Sequence, residues 1–192
     1  MTGTLAVAPL TPDRWADLVD LFGPERGACA GCWCMWPRLK RADWTALGRD
    51  GRRDAFHAIV NTGPPPGLLA FRDGVAVAWV AVGPRLSVPR FDAMKTSAPV
   101  AADADRDRAF ALTCFYVRND ARRQGLTRVM AQAAAGFAKQ QGATSLEVCA
   151  IEADRPLTWG DGFVGIASVF RALGWREVAR RAPRRPLMRL DL

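Results

Sequence analysis

Residues 117–130 read VRNDARRQGLTRVM. The run before them, RAFALTCFYV at 108–117, is continuously apolar, the composition of a buried central strand. From Thr127 to Gln141, the residues Val129, Met130, Ala133, Ala134, Phe137 and Ala138 recur at helical spacing, and Gly142 suits the position just past a helix end. Between strand and helix lie Arg122, Arg123, Gln124 and Gly125. A helix start leaves backbone N–H groups unpaired and carries about half a positive charge. A glycine there lets an anion approach the backbone, and flanking arginines add fixed charge. The chemistry this spacing offers is a pyrophosphate cradle. It is neither a Walker loop, which ends Gly-Lys-Ser/Thr, nor a Gly-x-Gly-x-x-Gly fingerprint. Taken alone, Arg122 and Arg123 also fit a solvated turn; the helix start directly behind them favours the cradle.

A second constellation is GACAGCWCMWP at 27–37, with three of the five cysteines and two of the seven tryptophans. Cys29-x-x-Cys32-x-Cys34 has the first half of a zinc ligand set. Cys114 and Cys149 fall in apolar strands, where they read as small buried hydrophobes, and His57 is the only imidazole. No metal is expected. A Cys-x-x-Cys redox pair opens a helix in a thioredoxin-like unit, and no such unit is present. Trp33, Met35 and Trp36 are large and polarizable. They suit the wall of a pocket, with Cys32 and Cys34 as small packing between them, or equally a satellite core beneath the loop. Trp159 and Asp161, in TWGDGFVG, are candidates to close the same cleft from the other side, as is the stretch 85–107.

A chain of 192 residues suits one ordinary domain. No apolar run approaches the ~20 residues that span a bilayer. The apolar patch near the N-terminus has no basic residue before it, so no secretory signal is expected. An odd cysteine count without framework spacing points to reduced thiols in a cytoplasm. The net charge of +8 is carried mainly by arginine; the lysines are Lys40, Lys95 and Lys139. It concentrates at 118–128 and 176–189. No basic helix face interleaved with aromatics appears, so a small polyanion is expected as partner rather than nucleic acid or membrane.

Trp15, Leu18, Val19 and Phe22 predict a helix after Thr11-Pro12. A second helical region covers 38–60, with Trp44, Leu47, Phe56, Ile59 and Val60 as core candidates, and NTGPPPG ends it. Asp73-Gly74 joins two apolar runs as a hairpin. Residues 85–107 have no sustained period and read as a long connection. TSLEVCAI at 144–151 is a strand, IASVFRALGW a short helix, and REVARR with PLMRLDL a strand pair. The order describes a mixed α/β protein in a single domain over 1–192.

On these residues the chain resembles the GNAT superfamily of acyl-CoA-dependent N-acyltransferases. The family's signature, Arg/Gln-x-x-Gly-x-Gly/Ala after the fourth strand, appears here as Arg122-Arg123-Gln124-Gly125-Leu126-Thr127, with Thr127 as a departure. VFRALGWREVARR looks like the family's final helix, Gly-aromatic pair and strand. The resemblance covers most of the chain from about residue 66. It implies a mostly antiparallel central sheet of roughly six to seven strands, splayed between the fourth and fifth and flanked by helices. It makes 1–65 a helical acceptor-side segment and 66–192 the core with the acyl-CoA site.

The resemblance further implies acetyl-CoA or another acyl-CoA as co-substrate. Pantetheine would pair along Phe115, Tyr116 and Val117, the diphosphate would rest on Arg122 to Thr127, and a backbone N–H near Cys114–Tyr116 would polarise the acyl carbonyl. The family's tyrosine acid falls at Phe170, which has no proton to give; Phe170 is left as a cofactor contact. Ser168 is the substitute acid, and Tyr116, the only tyrosine, needs a different geometry to serve. Glu147 is the candidate base, ahead of Glu152, Asp154, Asp161 and His57. The acceptor pocket would be Cys32, Trp33, Cys34, Met35, Trp36 and Trp159. The implied activity is direct transfer of an acetyl or other short acyl group to the amine of a small molecule. Three alternatives stay open: an acyl carrier protein as donor, a non-catalytic acyl-CoA-binding module, and a basic nucleic-acid-associated protein. A homodimer is the assembly common among proteins of this resemblance.

Overall fold

A computed structural model of the chain describes residues 4–23, 31–100, 106–158 and 160–192. Gly67–Arg72 (β2) and Val75–Pro84 (β3) form the hairpin that Asp73-Gly74 signals. Asp73 and Gly74 have φ of 50° and 81°, the left-handed pair that a turn matching the twist of two strands requires. With Leu5–Pro9 (β1), Ala109–Val117 (β4), Ser145–Cys149 (β5), Arg176–Arg180 (β6) and Pro186–Asp191 (β7), they build one seven-stranded sheet, ordered β1-β2-β3-β4-β5-β7-β6. Every pairing is antiparallel except β4 with β5. The splayed α/β sheet inferred from the sequence is therefore present. β1 is an addition to the sequence reading: LAVAP is a half-buried edge strand paired only to β2, so its pattern is weak.

Helices cover both faces. Leu126–Gln140 (called α5 below) turns Leu126, Met130, Ala134, Phe137 and Ala138 onto one face, against Val80, Phe115 and Leu146. Small residues at 131, 134 and 138 let its backbone approach the strands closely. On the other face, Trp15–Phe22 (α1) and Gly48–Thr62 (α3) bury Leu18, Phe22, Phe56 and Val60 against Leu69 and Trp79. The helical region expected over 38–60 is divided: Arg41–Ala46 (α2) ends before Gly48, which sits at φ 61°. The expected connection at 85–107 carries a short helix, Pro89–Ala93 (α4), and a 3₁₀ turn at Arg85–Ser87. The final short helix is Ala167–Ala172 (α6).

Two irregularities open the centre of the sheet. The β4–β5 ladder runs from Ala109↔Ser145 to Leu112↔Val148 and stops. On its other edge, β4 pairs Cys114 with Ala81 and Leu112 with Val82, so Thr113 has no opposite residue. An extra residue of this kind bends a strand and raises its twist. β5, meanwhile, is drawn away: Ala150 N–H donates to the Pro186 carbonyl (3.0 Å), and Ile151 bridges to Ile166. From Thr113 to Val117, one edge of β4 therefore has no strand partner among the described residues.

Candidate active site

The free edge of β4 leads to the start of α5. A 3₁₀ turn at Asn119–Ala121 ends the strand, and Gly125 caps the helix at φ 75°. A Cβ at Gly125 would meet nothing within 4 Å, so the glycine answers to backbone conformation and open space rather than to crowding. Arg123, also left-handed at φ 63°, is exposed with Arg122, Gln124 and Gly125. Two side chains tie the turn in place: Arg122 Nε donates to the Val117 carbonyl (3.1 Å), and Gln124 Nε2 to the Asp120 carbonyl (3.1 Å). The N–H groups of Leu126 and Thr127 precede the first helical hydrogen bonds, which Arg128 and Val129 make to the Gly125 carbonyl (3.0 and 3.3 Å). A groove of about 510 Å³ runs along this edge, lined by Phe115, Val117, Arg122 and Thr127 on one side and Leu157, Thr158, Gly160 and Phe163 on the other. A diphosphate fits this donor set: a fixed cation, the start of a helix and no carboxylate among the described residues of the lining.

Past Gly160 and Phe163, which belong to both, the groove meets a pocket of about 410 Å³. Its wall combines Trp36 and Trp44 with Phe91, Met94 and Leu112, and it takes in Cys32, Cys34, Cys114 and Cys149. Convergence of Cys114 and Cys149 here is something their sequence context hid: apolar strands suggested plain core, but the splay exposes both to the cavity. Cys34 Sγ accepts from Trp79 Nε1 (3.2 Å). The Cys114 thiol beside it, and that N–H, hold the Cys34 thiol below its ordinary pKa against the effect of burial. Burial pushes the Cys32 thiol up. Among the described residues, no group of three or more His, Cys, Asp or Glu side chains is placed to hold a metal ion. Cys29 and Trp159 lie outside the described residues.

Several expected site residues are elsewhere. Trp33 and Met35 are buried in the core beneath the loop, where Trp33 stacks on Trp15 (5.8 Å) and tilts against Phe22 (5.6 Å). Among the described residues of that run, Cys32, Cys34, Trp36 and Pro37 line the cavity. Phe170 is fully buried, packed on Phe115 and Trp175 at 6.0 and 5.0 Å, and it is absent from the groove wall. It is a core residue rather than a cofactor contact. Ser168 is exposed on α6, off both linings. Tyr116 is half-buried, edge-on to Phe22 and flat beneath Phe163. His57 stacks on Trp15 at 4.3 Å, away from the pocket.

Glu147 is corrected most firmly. Its side chain has no exposure and forms ion pairs with Arg85 and with Arg189 (2.6 Å). Arg85, itself 1% exposed, also binds Asp92 (2.6 Å), which in turn holds Arg106 (2.6 Å). The carboxylate is a buried counter-ion that joins β5 and β7 to the turn after β3. It touches neither cavity, and a base must reach its substrate's proton. Glu152 is likewise committed, to Arg171 and to Arg180 (2.8 Å), which hold its carboxyl at about 2.

A family model described as the acetyltransferase (GNAT) family matches residues 25–157. No curated protein matches the sequence. Among solved structures, the PaiA N-acetyltransferase of Thermoplasma acidophilum, in complex with coenzyme A, aligns at a TM-score of 0.55 and 11% identity, over 98% of this chain and 99% of that one. YncA of Salmonella typhimurium, a putative acetyltransferase with acetyl-CoA, gives 0.54 and 14%, over 98% and 94%. A polyamine N-acetyltransferase of Drosophila melanogaster gives 0.54 and 15%, over 98% and 100%. At such identities the likeness is one of fold.

Proposed function

The chain belongs to the GNAT acetyltransferase family, and we propose that it moves an acetyl or other short acyl group from acyl-CoA to the amine of a small molecule. One observation carries this reading: the groove along the free edge of β4 and the apolar pocket meet at Gly160 and Phe163. A thioester laid along Thr113–Val117, with its diphosphate at Gly125–Thr127, puts its acyl carbon at that junction. The relatives solved with coenzyme A and acetyl-CoA support the same donor.

The chain's own contribution is mainly placement. Two reactants held side by side gain the advantage of an intramolecular encounter. Backbone N–H groups of the free edge polarise the acyl carbonyl as its oxygen gains charge. The amine nitrogen forms its bond to the carbonyl carbon, the C–S bond breaks, and its electron pair leaves on sulfur. The surplus proton on nitrogen passes to water. A thiol has an ordinary pKa of about 8.5, so the thiolate leaves without a strong acid. That fits the loss of a tyrosine at Phe170. No carboxylate is among the described residues that line the pocket; the acceptor reacts as the free amine, because an ammonium nitrogen has no lone pair to attack with.

The test is thiol release from acetyl-CoA across a panel of apolar amines, with donor binding measured in parallel. Amine-dependent release supports transfer. Tight acetyl-CoA binding with release no faster than hydrolysis for every amine would make the chain a binding module instead.

A further inference from the structure

The pocket's polar groups are biased toward donors. Arg185, on the turn between β6 and β7, lines it beside Cys149. Its Nη2 donates to the Cys149 carbonyl (2.9 Å) and lies 3.5 Å from Cys149 Sγ. Its Nε is buried and has no hydrogen-bond partner among the described residues. The neighbouring arginines are all committed: Arg180 to Glu177 and Glu152, Arg181 to the carbonyls of Ala98 and Pro99, Arg184 to Asp154, Arg189 to Glu147. No ion pair joins Arg185 to a described carboxylate. Asp161 is close enough to feel its charge, but the Asp161 Oδ2 atom is held by the Thr158 amide (3.0 Å) and hydroxyl (2.8 Å). A second pocket-lining residue, Trp44, also has a buried indole N–H without a hydrogen-bond partner among the described residues.

A half-buried guanidinium with no ion-pair partner among the described carboxylates, set in an aromatic and sulfur-lined cavity, calls for an anion on the occupant. Arginine matches a carboxylate better than any other side chain does. We infer that Arg185 selects an acceptor bearing a carboxylate and an apolar body, in chemical terms an apolar amino acid rather than a simple amine or polyamine. This rests on the acyl-transfer reading of the site. An acyl group ending in a carboxylate is the other possible source of the anion. The acceptor is favoured because Arg185 lines the pocket and is absent from the donor groove.

The test is calorimetric titration with phenylacetate and with phenylacetamide, its uncharged counterpart, on the full chain with and without saturating CoA. Phenylacetate is expected to bind at least ten-fold tighter than the amide. The preference should vanish in Arg185→Met and survive in part in Arg185→Lys. Equal acetyl-CoA affinity in all three proteins checks that fold and groove are intact. Equal binding of the two probes, no binding of phenylacetate, or a preference that persists in Arg185→Met overturns the inference. So does a preference for succinyl-CoA over acetyl-CoA that Arg185→Met abolishes without any probe preference, which would assign the anion to the acyl group. Loss of CoA binding by the unmodified chain would reject the acyl-transfer reading alone, and the titration without CoA still reads the role of Arg185.

Discussion

Phe163 lies flat over Tyr116, with ring planes 9° apart and centroids separated by 6.4 Å, and Phe163 forms part of both the groove and the pocket. The ring is thus a wall shared by the groove and the pocket. Phe163→Ala should lower kcat/KM for both substrates by about ten-fold, the equivalent of about 1.4 kcal/mol of transition-state stabilisation. The melting temperature should change little, since the side chain is only half-buried. Steady-state rates with each substrate varied in turn check this; unchanged kcat/KM would remove Phe163 from the site.

Glu147 and its arginines predict a stability phenotype without a catalytic one. Glu147→Gln leaves Arg85, 1% exposed, with Asp92 alone as counter-ion, and takes the carboxylate from Arg189. Breaking a buried pair from one side costs about 3–5 kcal/mol. Denaturant unfolding should register that loss, while kcat of the folded variant in the cold stays near the parent's. Full stability with lost activity would restore Glu147 as a base.

Glu152 ties α6 to β6 through Arg171 and Arg180, with its carboxyl held at about 2 against an ordinary 4.5. A depressed carboxyl stabilises the fold fully above the unfolded value and loses that contribution as pH falls toward the folded one. Unfolding midpoints should therefore drop between pH 4.5 and about 2. The contribution is about 1 kcal/mol or less, since the cluster is partly exposed and salt-screened. Glu152→Gln should flatten the profile in this window; an identical slope would assign it to other carboxyls.

How far the sequence reached depended on whether a feature was local. Asp73-Gly74, the apolar run of β4 and the stripe of α5 are local patterns, and each stands where expected. β1 was missed because an edge strand that is half-buried has little alternation to read. The splay was implied only by resemblance, because its causes are the unpaired Thr113 and the Ile151–Ile166 bridge, both long-range. Glu147 misled for the same reason. Its strand was legible, but its partners Arg85 and Arg189 lie far away in sequence. In the run at 32–36, residues of similar type divide between core and cavity, a choice that side-chain direction makes and composition does not record.

The pocket thiols should separate by pH. Hydrogen bonds from Cys114 and Trp79 favour the Cys34 thiolate, whereas burial and the neighbouring Cys34 disfavour that of Cys32. Thiolate is the reactive form. Alkylation by iodoacetamide, followed by peptide mass spectrometry across a pH series, should label Cys34 at lower pH than Cys32. Trp79→Phe, which removes one donor, should shift Cys34 labelling upward. A pH midpoint of labelling for Cys32 at or below that of Cys34 would contradict the arrangement; the relative rates would not, because Cys34 is the more buried of the two.

The most direct measurement is backbone amide hydrogen exchange with and without acetyl-CoA. Placement of the thioester along β4 and of the diphosphate at the start of α5 predicts slowed exchange at 113–117 and 125–127 together. Saturating binding that leaves both segments unchanged, with protection appearing elsewhere, would contradict the account.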